Sequence, residues 1–263
     1  MALKQSIILL REFLSLRDNF RHYFRIEPVL VPRKQQEVYR LRHQVYHQEL
    51  GWENESLNME EPDEYDKNSI HCLLRSVNSG ESVGCIRLIL PDRDEPSLPF
   101  PFEKTCGLSL DQHYLHTKER DQFTVAEVSP IVVAGRYRRR KAEQQNPGTI
   151  SAQDFGSITR PRFPYIAVGL YLGILHTAKR NNIHTLYFLA ERWLQEHFEN
   201  LGMHLTPIGQ PVQRYNECIP CMLNVPETIS NMSLFVRPLF KQISIEIDSY
   251  HWSHYKRRLL QGC

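Results

Sequence analysis

Apolar and polar positions along this chain fall into blocks whose period changes. Residues 3–24 set Leu3, Ile7, Leu10, Leu14 and Phe24 at helical spacing among Lys4, Arg11, Arg17 and Arg21, the pattern of an amphipathic helix. EPVLVP at 27–32 predicts a short strand. Residues 34–50 predict a helix with Val38, Leu41, Val45, Tyr46 and Leu50 on one face, stopping at Gly51. The acidic stretch 52–68 has no period and reads as a loop. His71–Val77 and Ser82–Leu90 read as paired strands around the turn Asn78-Ser79-Gly80. Residues 91–121 are Pro-rich and irregular, 123–134 predict a strand, and 142–164 a long polar loop. PYIAVGLYLGILHTAKR is apolar on nearly every side, which predicts a buried helix. After it come a strand (HTLYFLA), an amphipathic helix over 191–201 with Trp193, Leu194, His197, Phe198 and Leu201 inward, strands near 203–213 and 217–225, and a tail helix over 239–260. This order predicts an α/β (α+β) fold with a mixed central sheet and helices on both faces. Three parts are expected: an N-terminal amphipathic helix (1–26), a main domain (27–230) and a C-terminal helical extension (231–263).

Composition narrows the class. At 263 residues, 41% hydrophobic and 24% charged, the chain suits a globular protein with a sizeable core. A net charge of +2 exerts no global pull on nucleic acid or anionic membrane, so any such attraction must be local. No signal-peptide pattern and no span long enough for a bilayer is expected, so the reading is a cytoplasmic protein with free thiols. Peripheral contact with the inner membrane through the N-terminal helix is the sharper alternative to simple packing. Cys218-Ile-Pro-Cys221 has the CxxC form, but Met222, Leu223 and Val225 continue it as a strand. It therefore reads as core cysteine, and no metal site is expected.

One stretch resists the bland reading. In FTVAEVSPIVVAGRYRRRK a carboxylate, Glu127, interrupts an apolar strand, and Arg136, Arg138, Arg139, Arg140 and Lys141 crowd its far end. A carboxylate in such a setting is expected to titrate high and to accept a proton. A structural Glu127 paired with Arg87 or Arg42 is the alternative. The basic run is either a solvated turn or an anion site. Without interleaved aromatics beyond Tyr137, it is poor ground for nucleic-acid binding.

The order strand, loop, buried helix, strand, helix ending in LGMH resembles the GNAT acyltransferase superfamily. RLRHQVYHQELGW, EPDEYD, VGCIRLILP, PFEK and AEVSP run in the order of the acyl-homoserine-lactone (autoinducer) synthases and N-acyl amino acid synthases. The likeness extends to the acyltransferases associated with the PEP-CTERM/exosortase system, and spans roughly residues 35–225. It implies a GNAT-like fold splayed at strand 123–134. The activity it implies is N-acyl transfer of a fatty acyl group to an amine, an amino acid being favoured. The donor is acyl-4′-phosphopantetheine on an acyl carrier protein, or acyl-CoA, with no tightly bound cofactor. Arg42, Tyr46, Trp52, Asp63, Asp66, Arg87 and Phe102 match the family's substrate-binding positions, and Glu127 and Ser129 match its ExSR motif as catalytic residues. The Arg of that motif is here Pro130. The backbone of Ile131, Val132 and Val133, together with Arg138, Arg139, Arg140 and Lys141, is expected to meet the phosphopantetheine or its carrier protein. Two other functions stay open: acyl-homoserine-lactone synthesis from S-adenosylmethionine, and an acyl-ligand sensor without turnover.

Overall fold

A computed structural model describes residues 16–49, 62–114, 120, 122–129, 131–138, 156–157, 160–161, 165–213 and 216–261. Its centre is a mixed sheet in the order β1-β2-β3-β4-β8-β11-β10, with β5 also on β3 and β9 also on β11. The strands are β1 (Phe24–Pro28), β2 (Ser69–Ser76), β3 (Ser82–Ile89), β4 (Val125–Val128), β5 (Val132–Val133), β8 (Thr185–Glu191), β9 (Thr206–Pro207), β10 (Val212–Gln213) and β11 (Glu217–Asn224). A separate two-residue pair, β6 (Gly156–Ser157) and β7 (Arg160–Pro161), lies in the predicted loop. The helices are α1 (Leu16–Tyr23), α2 (Pro32–His43), α3 (Pro101–Cys106), α4 (Tyr165–Arg180), α5 (Arg192–Asn200), α6 (Val225–Asn231) and α7 (Arg237–Gln261). All neighbouring strands of the sheet run antiparallel except β4 and β8, which run parallel.

The buried helix α4 fills one face of the sheet because it has no polar side to present to water. Its glycines set the packing distance. A Cβ at Gly169 would lie 2.5 Å from Phe20 of α1, and one at Gly173 would lie 2.1 Å from Ile26 of β1. Side chains of alternate parity, Cys72, Leu74, Ile86, Leu88, Ala126, Val128, Leu186 and Phe188, point into this core. On the opposite face α2 covers Leu73, Cys85 and Val132, while Phe100, Phe102 and Cys106 of the α3 region cover Ile89, Val125 and Tyr187. The outer edge, β1, is closed by α7. Glu246 accepts the Ile26 N–H at 3.2 Å, and the Tyr250 hydroxyl donates to buried Glu27 at 2.8 Å. Such an edge, left open, is a template for another strand.

Several predicted boundaries move. The first strand lies at 24–28 rather than 27–32, because Pro32 opens α2 instead. The α2 backbone continues past His43 as a wider π-helical turn, Gln44–Glu49. The expected strand over 203–213 is two short pieces. The expected tail helix over 239–260 is α7, Arg237–Gln261, and an unexpected helix α6 precedes it, capped by the Asn224 side chain, which accepts the Glu227 N–H at 2.9 Å. Of the N-terminal helix, 16–23 is helical and 3–15 lies outside the described residues. Cys218 and Cys221 are buried thiols outside any disulfide and lie three residues apart on β11, so they point to opposite faces. That geometry excludes a disulfide between them and bears out the core reading.

Candidate active site

Strand registers place the site residues in two rows on the α2/α3 face. Ser69, Ile89, Glu127, Tyr187 and Met222 lie side by side across five strands. The next row holds His71 and Arg87, and Ser129 donates its backbone N–H to the Arg87 carbonyl at 3.1 Å. Same-face diagonal neighbours on adjacent strands sit about 7–8 Å apart, so Arg87 stands diagonally beside Glu127.

Glu127 is buried, with 4% exposure, and its Oε2 accepts the Phe102 N–H at 3.0 Å. That bond ties the carboxylate to the first turn of α3 and fixes where it points. Phe102 is fully buried and stacks on Tyr187 at 5.0 Å, and the Tyr187 hydroxyl donates to the Tyr114 carbonyl at 3.1 Å. Arg120 holds the same loop. It pairs with Glu103, donates to the Leu98 carbonyl at 3.1 Å and lies over the Phe100 ring. Tyr187, Glu103 and Arg120 escape a sequence reading; only the strand register brings Tyr187 opposite Glu127.

Arg42, Arg87, Asp63 and Asp66 form one cluster, buried except for part of Asp63. Arg42 Nη1 donates to both oxygens of Asp66 at 2.7 Å, and its Nη2 to Asp63 at 2.5 Å. Arg87 donates twice to Asp63 at 2.8 Å and once more to Asp66. Asp66 also accepts the Asp63 N–H at 2.8 Å, which folds the acidic loop back on itself. Burial raises the Asp63 carboxyl, but the Arg87 hydrogen bonds and both guanidinium charges outweigh it and hold the group well below the usual carboxylate range. His71 is the unforeseen fifth member. Its Nε2 lies 3.4 Å from Asp66 Oδ1, and burial pushes its pKa down to about 4, so the ring is neutral at pH 7. The hairpin register would have found it, since His71 sits directly opposite Arg87.

The remaining expected positions divide. Tyr46 is half-buried on the π-helical turn, against the cluster containing Val132 and Ala134. Trp52, Pro130, Arg139, Arg140 and Lys141 lie outside the described residues. Arg138 turns inward: it is buried and pairs with Glu49 at the end of the π-helical turn. Arg136 is exposed and pairs with Glu81 at 2.8 Å.

The expected splay is present. β4 pairs with β8 only over Val125–Glu127 against Thr185–Tyr187, and beyond that point the strand returns to β3 as β5. Ala134 donates to the Val83 carbonyl, and Val132 pairs with Cys85. Alternation in an antiparallel ladder then turns the N–H groups of Ile131 and Val133 away from β3, toward the fork. Across it, the same alternation in the parallel pair turns Leu189 N–H and C=O inward. Two parallel strands that part beside a buried carboxylate make a slot for an extended chain.

Residues 41–146 match the family model described as an acetyltransferase (GNAT) domain. That segment includes Arg42, Asp63, Asp66, His71, Arg87, Glu127 and the β4–β5 side of the fork, and ends before β8 and β11. The fold is the GNAT fold. Solved structures with this fold include the CoA-dependent acyl-homoserine lactone synthase MesI, at 18% identity and a TM-score of 0.54, covering 82% of this chain and 95% of that one. Another is the CoA-dependent acyl-homoserine lactone synthase BjaI with SAM and isopentyl-CoA, at 17% and 0.52, covering 84% and 89%. A third is FeeM, an N-acyl amino acid synthase from uncultured soil microbes, at 17% and 0.50, covering 80% and 95%. No curated protein sequence matches the chain. No helix among the described residues is long and apolar enough to cross a membrane, and no metal-binding group is present among them.

Proposed function

We propose that this chain is an N-acyltransferase that moves a fatty acyl group from a pantetheine thioester to the amine of a small acceptor, an amino acid being the favoured one. The observation that carries the reading is the β4–β8 fork with Glu127 buried at its apex. The pantetheine arm lies along the fork, hydrogen-bonded to the inward-facing Val133 carbonyl and the Leu189 backbone. The acceptor ammonium first gives one proton to water, and the neutral amine nitrogen then attacks the thioester carbonyl carbon. Negative charge develops on the carbonyl oxygen, where the Ile131 and Val133 N–H groups are aimed. Glu127 takes the proton from the attacking nitrogen, directly or through one water. Collapse of the intermediate breaks the C–S bond, and the departing thiolate takes up the proton that Glu127 accepted, which gives the free thiol and restores the carboxylate.

The acidic pair has a divided role. Asp66 is enclosed, while Asp63 keeps about a quarter of its side chain open and is the group able to meet an acceptor ammonium. Arg42 and Arg87 orient the two carboxylates; their guanidiniums are already engaged. Ser129 adds a polar group beside Glu127. The tie between Arg138 and Glu49 leaves Arg139, Arg140 and Lys141 as the cations for a donor phosphate or a carrier-protein surface. Similarity to two CoA-dependent synthases supports acyl-CoA as donor alongside an acyl carrier protein. The link to the PEP-CTERM/exosortase system rests on the motif resemblance alone.

The test is mass spectrometry of the full chain with acyl-CoAs and acyl carrier proteins of several chain lengths, a pool of amino acids, and S-adenosylmethionine. An N-acyl amino acid with release of CoA or holo carrier protein is the expected result. An acyl-homoserine lactone would replace the acceptor by S-adenosylmethionine. Donor binding without product from any acceptor would make the chain a sensor and sink the enzyme reading.

A further inference from the structure

The C-terminal helix α7 presents two unlike faces. Leu239, Ile243 and Ile247 are buried against α4 and β1. On the opposite side, spacings of four and seven put Lys241, Ile245, Trp252 and Lys256 in one stripe. Ile245, Trp252 and Tyr255 are each more than half exposed. Trp252 and Tyr255 stack at 6.0 Å, and the Lys256 ammonium sits 5.1 Å above the Trp252 ring. Arg257 and Arg258 follow, both exposed. The exposed acid on this helix, Asp248, is already committed to Arg180 at 2.8 Å and His176 at 3.1 Å. The face therefore combines apolar and aromatic side chains with uncompensated positive charge.

We propose that this outward face of α7 docks on an anionic lipid surface. Tryptophan and tyrosine settle at the headgroup boundary because their rings are apolar with one polar end. Lysine and arginine beside them are drawn to anionic headgroups. The same composition suits neither a neutral lipid surface nor an apolar protein partner, because Lys241 and Lys256 lie in the stripe and the exposed Arg257 and Arg258 follow at its end. The inference is independent of the acyl-transfer reading, since α7 packs on α4 and the β1 edge, and β2 and β3 separate that edge from Glu127 on β4.

The experiment is co-sedimentation of the full chain with vesicles of equal parts phosphatidylglycerol and phosphatidylcholine, against phosphatidylcholine alone, at low salt. The wild type binds the first and not the second. Each cation at an anionic surface strengthens binding about fivefold, so Lys256→Ser with Arg257→Ser weakens it about 25-fold, and Trp252→Ala weakens it severalfold. Both variants melt as the wild type does, because none of these side chains is buried. Equal binding to both vesicles, no binding by the wild type, or unchanged binding by the variants would overturn the proposal. So would a dimer seen by light scattering that Trp252→Ala abolishes, which would make a second copy the occupant.

Discussion

His71 turns the buried charge cluster into a pH-sensitive element of stability. The ring has 2% exposure on the face between Arg87 and Asp66, and desolvation lowers its pKa from the ordinary 6.5 to about 4; Asp66 opposes that shift, and Arg87 and Arg42 reinforce it. Between those values the unfolded chain binds a proton that the folded chain refuses. Stability therefore rises with pH across this window. It is full above about 6.5 and falls as pH drops toward 4. At about 1.4 kcal/mol per pH decade, the gap is worth about 3 kcal/mol. Replacing the ring with a group that does not titrate removes this slope and leaves all others in place. The assay is urea denaturation of wild type and His71→Gln at pH about 7.5, about 6, about 5 and about 4. The stability difference between the two proteins should shift by about 3 kcal/mol in favour of His71→Gln as pH falls. Parallel curves would refute the argument, because they would mean that the folded ring accepts the proton as readily as the unfolded one.

Two further substitutions probe the cluster and the core. Asp66→Ala leaves two buried guanidiniums sharing Asp63 alone; breaking a buried pair costs about 3–5 kcal/mol, and at about 2–4 °C per kcal/mol for this size thermal melting should fall by roughly 6–20 °C, whereas a shift within a degree or two would show the cluster to be solvated. Gly173→Ala drives a Cβ to 2.1 Å from Ile26; overpacking of this kind costs about 1–3 kcal/mol, read as a lower urea midpoint with an unchanged denaturant slope.

The fold was largely legible because its signals were local. The apolar block 165–178, the hairpin around Gly80 and the strand HTLYFLA each announce themselves within a few residues. Boundaries slipped where long-range pairing decided them. β1 lies at Phe24–Pro28 because β2 offers partners from Cys72 to Ser76, and nothing nearby in sequence records that. Glu127 stood out as a charge inside an apolar strand, and the structure buries it. Its Phe102 N–H partner lies 25 residues away and was invisible. The basic run looked uniform in sequence, yet Arg138 is buried on Glu49 while Arg136 pairs at the surface. Like residues two positions apart part company because the chain turns at Gly135–Tyr137.

The central claim is that Glu127, held by the Phe102 N–H at the apex of the β4–β8 fork, removes the proton from the acceptor amine. The most direct measurement is single-turnover acyl transfer by wild type and Glu127→Gln at matched, saturating donor. The substituted amide keeps the shape and a hydrogen-bond acceptor for the Phe102 N–H but cannot take a proton at neutral pH. General-base assistance contributes about 10²–10⁴-fold, so the variant should transfer the acyl group slower by that range, with donor affinity and melting temperature unchanged. Transfer at the wild-type rate would contradict the account and return Glu127 to a purely structural role.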